Sequence, residues 1–358
     1  MSGAQAPART RLSGHRLTGR RLALIGGLAI ALVLAIFISL GLGQFPIAPH
    51  EVWNLIIAKF GVSVPPAAPG AEAALWTVRM PRLLLGVLVG AALAGSGLLL
   101  QAIFGNPLAD AGVIGISSGA ALGAALAIVT GMAALGNWTV PALAFVGGLI
   151  SVFAVYMVSR SGGKTEVVTL ILTGIAINAI CAAGLGFLTF LGNTSSREQI
   201  VFWQLGSLNG ALWKQVATVF PVVVIGLIVA YLVAPKLDLF ALGEKSARHL
   251  GVNVEALRIT VILLVAVLVS VAVAFTGIIG FVGLVIPHLM RMIIGPAHRP
   301  LLLASVLGGA LLVVLADLFA RTAIANADLP IGMVTSLVGG PFFFWLLIRT
   351  RKSQGGWA

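Results

Sequence analysis

The sequence is poor in charged side chains, which make up only 9% of its 358 residues, whereas 59% are hydrophobic. A soluble domain carries about 25% charged residues, because its surface must be hydrated. The shortage of charge therefore excludes a soluble enzyme, a nucleic-acid-binding domain and a disordered chain. The 44 glycines fit membrane helices, which pack closely through small residues. The composition predicts an all-α, polytopic membrane protein.

Cysteine and carboxylates are also scarce. The single cysteine, Cys181, excludes a disulfide framework, and we interpret it as a small buried hydrophobe. Ten acidic residues stand against 22 Lys and Arg. The five histidines include no i, i+4 pair, so the sequence predicts no metal site and no catalytic set.

Long charge-free stretches predict the membrane spans, since crossing about 30 Å of hydrocarbon takes about 20 apolar residues. Two of the stretches are too long for one crossing, and we divide them at residues 131–141 and 276–280. Ten spans result. They are residues 22–44, 83–104, 111–131, 140–159, 167–190, 215–234, 259–277, 279–294, 301–320 and 331–349.

The basic residues predict the orientation, because Lys and Arg collect in cytoplasmic loops. With ten spans and both termini cytoplasmic, 16 of the 22 basic residues fall inside. The six on the outside are Lys59, Arg79, Arg82, Arg197, Lys214 and Arg321. The expected organisation is a basic tail (residues 1–21), a ten-helix domain (22–349) with a cytoplasmic loop (235–258), and a C-terminal tail (350–358).

An energy source for transport is missing from the sequence. The stretch Gly162-Gly163-Lys164-Thr165 resembles part of a phosphate-binding loop, but Val158 stands where the first glycine of that motif is needed. We interpret it as a basic cytoplasmic turn, so the chain is not expected to hydrolyse ATP.

Only one ionisable residue, Asp317, lies within the core of a predicted span. Arg321 follows four residues later on the same helix face, and we expect the two to pair. A proton-relay role for Asp317 is the alternative, and it would make the chain an ion-coupled secondary transporter.

Two surfaces could receive partner proteins. Arg79, Arg82 and Arg321 lie on the face that the positive-inside rule depletes, and arginine forms bidentate pairs with carboxylates. The alternative is that these arginines have no partner and extend their charged ends to the membrane–water interface, as snorkelling side chains do. On the other face, residues 242–252 predict a short amphipathic helix closed by Gly251. It is either a solvated connector or a contact for a cytoplasmic partner.

Several short sequence motifs, which follow one another in a fixed order along the chain, carry a family resemblance. They are Arg79-Met80-Pro81-Arg82, Asn106-Pro107-Leu108-Ala109, Gly115-Ile116-Ser117-Ser118-Gly119-Ala120, Phe202–Leu208, Gly280–His288, Ala316-Asp317 with Arg321, Leu329-Pro330-Ile331-Gly332 and Gly339–Phe343. Together they resemble the permease subunit of ABC importers for iron–siderophores, haem and cobalamin. Asp328 stands where that family commonly has Glu.

The resemblance implies the type II ABC importer permease fold and a homodimer in a bacterial inner membrane. It implies two separate ATPase subunits inside, which use ATP and Mg, and a periplasmic binding protein outside. Arg79, Arg82 and Arg321 would dock the binding protein, and Gly243, Ala247, Leu250 and Gly251 would contact the ATPase. No cofactor is expected on this chain itself.

The phrases Ile114–Ala120, Phe202–Leu208 and Phe342–Leu347 look most like haem importers, so haem is the expected cargo. A ferric siderophore or cobalamin is the alternative within the family. Transport is expected to proceed by alternating access, driven by the ATPase subunits.

Overall fold

The computed structural model describes residues 9–161, 164–324 and 326–353, which are mostly helical. The helices are α1 (Arg9–Gly41), α2 (Pro49–Ala58), α3 (Ala71–Ala73), α4 (Met80–Phe104), α5 (Ile116–Val129), α6 (Thr139–Val158), α7 (Val167–Leu191), α8 (Thr194–Leu205), α9 (Trp213–Phe240), α10 (Glu244–His249), α11 (Val254–Thr276), α12 (Val282–Ile294), α13 (His298–Thr322) and α14 (Ile331–Ser353). A π-helical turn, Ala74–Arg79, joins α3 to α4.

Ten apolar helices within the described residues match the predicted ten spans. Seven are long enough to cross a membrane: α1, the continuous segment Ala71–Phe104, α6, α7, α9, α11 and α13. Three are shorter, namely Ile116–Val129, Val282–Ile294 and Ile331–Trp345. The prediction of an all-α polytopic fold with about ten spans is therefore confirmed.

Several helix boundaries differ from the predicted spans. α9 continues through Pro235 to Phe240, because a helix can bend around a proline when neighbouring helices hold it. α1 begins at Arg9 and α14 extends to Ser353, so both run into the predicted tails. The outer parts of those tails, residues 1–8 and 354–358, lie outside the described residues.

The segment predicted to be a basic turn forms a small antiparallel hairpin between α6 and α7, with two residues in each strand. Its strands are β1 (Arg160–Ser161) and β2 (Lys164–Thr165). The two glycines of the phosphate-loop lookalike, at positions 162 and 163, lie outside the described residues. A membrane helix, α6, leads directly into β1.

The centre of the bundle is α4, most of whose residues are buried against α9, α11, α12 and α13. Glycines allow the closest approaches. A Cβ added to Gly97 would lie 1.9 Å from the carbonyl oxygen of Gly283 on α12. One added to Gly90 would lie 2.3 Å from the carbonyl oxygen of Gly309 on α13. Membrane helices gain packing energy from such contacts, which any larger residue would prevent.

Candidate functional site

The three arginines predicted to dock a partner lie together at one end of the bundle. Arg79 ends the π-helical turn, Arg82 lies in the first turn of α4, and Arg321 lies in the last turn of α13. Pro81 has no N–H to donate to the helix, and the π-helical turn lies directly before α4. Arg79, Arg82 and Arg321 are only 8%, 9% and 8% exposed.

Arg82 makes two short ion pairs. Its Nε lies 2.8 Å from Oδ1 of Asp317, and its Nη1 lies 2.6 Å from Oδ2 of Asp328. The expected pairing of Asp317 with Arg321 is confirmed, but at 3.5 Å it is the longer contact. Buried charges are tolerated only when they are paired and hydrogen-bonded, and Arg82 meets both conditions.

Arg79 and Arg321 cap the carboxyl end of α1. The last carbonyls of a helix have no partner within the helix, and they carry its negative dipole end. The two guanidinium groups donate to carbonyl oxygens here, for example Arg321 Nη1 to Leu42 at 2.6 Å. The accepting carbonyls are those of Ser39, Leu40, Gly41, Leu42 and Phe45.

This outer cluster of Arg79, Arg82, Arg321, Asp317 and Asp328 contains three positive and two negative side chains. No carboxylate within the described residues pairs with Arg79, so its charge is the uncompensated one. A cavity of about 460 Å³ opens over the cluster. Its lining includes Gln44, Arg79, Arg82, Asn209, Arg321, Asn326 and Asp328. The arrangement can accept an acidic group, and the docking role of the arginines stays a prediction.

At the opposite end, residues 242–252 contain the short helix α10 (Glu244–His249) that the sequence predicts. Gly251 is left-handed, with φ +83°. The N–H of Gly251 donates to Arg248 and the N–H of Val252 donates to Ala247, each at 3.0 Å. These two bonds form a Schellman cap, which explains why glycine ends the helix.

The four residues predicted to contact the ATPase do not share one environment. Gly243, Gly251 and the side chain of Leu250 are exposed, Leu250 by 56%. Ala247 is fully buried against the chain's own core. In this conformation Ala247 anchors α10, and of the four residues only the other three are exposed. Their role in coupling is untested.

Arg258 at the start of α11 fixes α10 to the rest of the protein. Its Nη2 lies 2.5 Å from Oε1 of Glu244, and its Nη1 donates to the carbonyl oxygen of Thr165 at 2.6 Å. Glu255 accepts from the N–H and hydroxyl of Thr165 at 3.1 and 2.6 Å. Arg258 is 3% exposed. The helix, the hairpin and α11 are therefore joined by one charged network.

Three of the motifs that carry the family resemblance meet beside the break between α11 and α12. Ser207 N–H donates to Thr276 at 2.7 Å, and Ile331 N–H donates to Gly206 at 3.0 Å. Phe281 at the start of α12 has φ +68°, a left-handed conformation that costs a non-glycine residue about 1–2 kcal/mol. A Cβ on Gly332 would lie 2.3 Å from the carbonyl oxygen of Ile278. Tight backbone contacts hold this junction together.

In the part of the chain that the structure describes, no three His, Cys, Asp or Glu side chains come together to hold a metal ion.

Comparison with known proteins assigns the family. The profile of the FecCD transport family matches residues 31–349, which contain every site described above. The chain belongs to the FecCD transport family.

Curated relatives of this FecCD protein are transport permeases. The hemin transport system permease HmuU of Yersinia pestis is 40% identical over 340 residues, covering 93% of this chain and 97% of the relative. The cobalamin import system permease BtuC of Halobacterium salinarum is 40% identical over 283 residues, covering 79% and 75%. A solved metal-chelate type ABC transporter in an inward-facing conformation matches with a TM-score of 0.80 and 34% identity, over 91% and 99%.

The three arginines Arg79, Arg82 and Arg321 were predicted from the sequence, but their partners were not. Neither the capping of α1 nor the pairing of Arg82 with Asp317 was expected. The Arg258 network was missed as well. The signal for Arg82 was the pair of carboxylates, Asp317 and Asp328, which flank Arg321 in the sequence near the outer end of the predicted span 301–320.

Proposed function

We propose that this chain is the membrane-spanning permease subunit of an ABC importer that carries haem, or a related iron chelate, into the cytoplasm. The observation that carries this proposal is the match to HmuU over 97% of the relative's length. The sequence motifs that resemble those of haem importers agree with it. Cobalamin is the second candidate, because BtuC of Halobacterium salinarum is equally identical over a shorter stretch. A ferric siderophore is the third.

The proposed complex is a homodimer of this chain with two cytoplasmic ATPase subunits and a periplasmic binding protein. It lies in the bacterial inner membrane, with both termini in the cytoplasm. ATP and Mg act on the ATPase subunits, and no cofactor is assigned to this chain. The exposed Gly243, Leu250 and Gly251 form the contact with the ATPase, and Ala247 holds α10 in place from beneath.

The binding protein is proposed to dock over the outer cluster, where Arg79 supplies the free positive charge. Arg82 and Arg321 are already paired with Asp317 and Asp328, so they contribute by holding the site in shape. Arg79 is the arginine whose charge no carboxylate compensates, so an acidic side chain that enters the cavity would pair with Arg79. In alternating access, the loaded binding protein and ATP can shift the permease between its states only by binding one state more tightly than the other.

Uptake into proteoliposomes tests the cargo. The permease is reconstituted with its ATPase and binding protein, and haem, a ferric siderophore and cobalamin are compared side by side. We expect ATP-dependent uptake of haem that vanadate abolishes and an ionophore does not. Preferred uptake of cobalamin or siderophore would reassign the cargo. Uptake by the purified chain alone, without nucleotide, would contradict the proposed class.

An Asp317→Asn variant separates ABC transport from ion-coupled transport. Asparagine keeps the shape of the side chain and one hydrogen-bond acceptor for Arg82, but it cannot carry a proton. We expect ATP-driven uptake to persist in reconstituted protein that remains monodisperse. Loss of uptake in this variant, together with uptake by the unmodified chain that needs no nucleotide, would favour the ion-coupled alternative.

Binding-protein affinity tests the docking role. Arg79→Gln should weaken it by about tenfold, the effect of losing one charge-assisted contact. Arg197→Gln is the control, since Arg197 is expected on the same face and is exposed. Equal affinity of the Arg79→Gln protein and the unmodified protein would remove Arg79 from the docking surface.

A further inference from the structure

A groove opens between α6, α9 and α11 near the outer end of the bundle. It consists of two adjoining cavities of about 390 and 270 Å³. Trp138 and Phe275 line both cavities, and their rings meet edge to face with centroids 5.5 Å apart. The two cavities therefore adjoin at this aromatic pair, and together they are called the groove below.

The upper cavity has a lining of both polar and apolar side chains, and it carries one positive charge. Its lining consists of Thr77, Asn137, Trp138, Leu212, Trp213, Lys214, Gln215 and Phe275, with no carboxylate among them. Lys214 is exposed, and it has no ion-pair partner within residues 9–161, 164–324 and 326–353. Trp213 Nε1 donates to the carbonyl oxygen of Trp76 at 2.7 Å, which fixes the wall beside Lys214.

The lower cavity is apolar apart from one threonine. It is lined by Trp138, Pro141, Ala142, Phe145, Thr218, Val222, Val267, Val271, Ala274 and Phe275. From Val267 to Phe275 on α11, at 1.5 Å per residue, the groove runs about 12 Å along the helix. One leaflet of hydrocarbon is roughly 15 Å deep, half of the bilayer core. The groove therefore follows most of one leaflet.

The two cavities together match the form of a phospholipid. A positive, hydrogen-bonding upper end lies at the level of Trp138 and Trp213, which are 44% and 43% exposed as in an interfacial aromatic belt. An apolar channel leads from it toward the membrane centre. An extended peptide segment would leave backbone N–H and C=O groups unpaired in the lower cavity, whereas an acyl chain has none.

We propose that this groove binds a phospholipid with an anionic headgroup. The lipid's phosphate lies beside Lys214, Asn137 and Gln215, and one acyl chain lies between α6, α9 and α11. The proposal concerns the surface facing the lipid and does not depend on the cargo or on the importer assignment.

Native mass spectrometry of the full chain in detergent tests the site. Phosphatidylglycerol is the anionic probe and phosphatidylcholine the zwitterionic one. We expect one tightly retained lipid per chain and a preference of about fivefold for phosphatidylglycerol, as one lysine near an anionic lipid supplies. Lys214→Gln should remove this preference. Ala142→Phe, which fills the lower cavity from an exposed position, should abolish retention of either lipid.

Two variants serve as matched controls. Lys59→Gln removes a lysine that is also expected on the outer face but already pairs with Glu72 at 3.5 Å. Ala217→Phe adds the same bulk at an exposed position on α9 that does not line the groove. Both should retain lipid as the unmodified chain does. The proposal is overturned if Ala142→Phe retains as much lipid as Ala217→Phe, or if an Ala142→Cys variant forms a disulfide-linked pair of chains, which would place a second copy in the groove.

Discussion

Arg82 of α4 and Asp317 of α13 form a buried ion pair, with Nε and Oδ1 2.8 Å apart, although 235 residues separate them in the chain. The pair joins two helices that pack closely against each other at the centre of this FecCD permease. It stands beside the capped end of α1, so three helices end at one charged cluster.

Removing Asp317 should therefore be costly. Asp317→Ala leaves Arg82 and Arg321 short of a buried carboxylate, and we expect a loss of about 3–5 kcal/mol in the free energy of unfolding. Denaturant unfolding in detergent measures it. Glu72→Ala, which breaks an exposed pair, should cost under about 1 kcal/mol. Similar losses for both variants would show that the outer cluster is not a stabilising unit.

Arg321→Lys should loosen the end of α1. Lysine keeps the charge but cannot reach both Leu42 and Ser39 in the geometry of the guanidinium group. Amide hydrogen exchange over residues 39–47 should become about tenfold faster. Arg197→Lys is the comparison, because Arg197 caps the end of α7 from an exposed position, at 3.1 Å from Thr189 and Phe190. Unchanged exchange in residues 39–47 would contradict the capping role.

Gly97→Ala should disrupt the packing of α4 on α12, since its Cβ would overlap the carbonyl oxygen of Gly283. We expect a loss of about 1–3 kcal/mol from overpacking, measured as lowered thermal stability in detergent. Gly27→Ala on α1 meets no atom within 4 Å and should be neutral or slightly stabilising. Equal melting temperatures for the two variants would argue against this close contact.

Arg258→Lys should uncouple the proposed ATPase from transport, because α10 would lose its link to the hairpin and α11. We expect cargo uptake per ATP hydrolysed to fall by about tenfold, within the usual range of coupling free energies. Arg248→Lys is the matched control, since Arg248 also pairs with Glu244 but at 3.5 Å from an exposed position. If both substitutions had the same effect, the role of the Arg258 network would be only to keep α10 folded.

Cysteine labelling should establish the orientation. The chain's only native cysteine, Cys181, is buried, so its background labelling should be low. A membrane-impermeant maleimide should label Lys59→Cys from the periplasm and Lys245→Cys only after the membrane is opened. The reverse pattern would invert the proposed topology.

The count of spans and the chemistry of both ends could be predicted from the sequence. Hydropathy is a local property, so ten spans follow from runs of residues, and Gly251 marks the end of α10 because helix capping is also local. Arg79, Arg82 and Arg321 could be singled out because their charge lies on the side where charge is depleted.

The pairing of these groups was decided by the tertiary structure alone. Arg82 meets Asp317, and Arg258 meets Glu244 and Thr165, only because helices distant in sequence pack side by side. Arg79 was expected to face a partner protein, but its guanidinium also bonds the free carbonyls at the end of α1. Such carbonyls are present on every helix, so no sequence pattern states which side chain will satisfy them. Likewise the groove below Lys214 exists only where α6, α9 and α11 diverge, since a cavity is a property of packing.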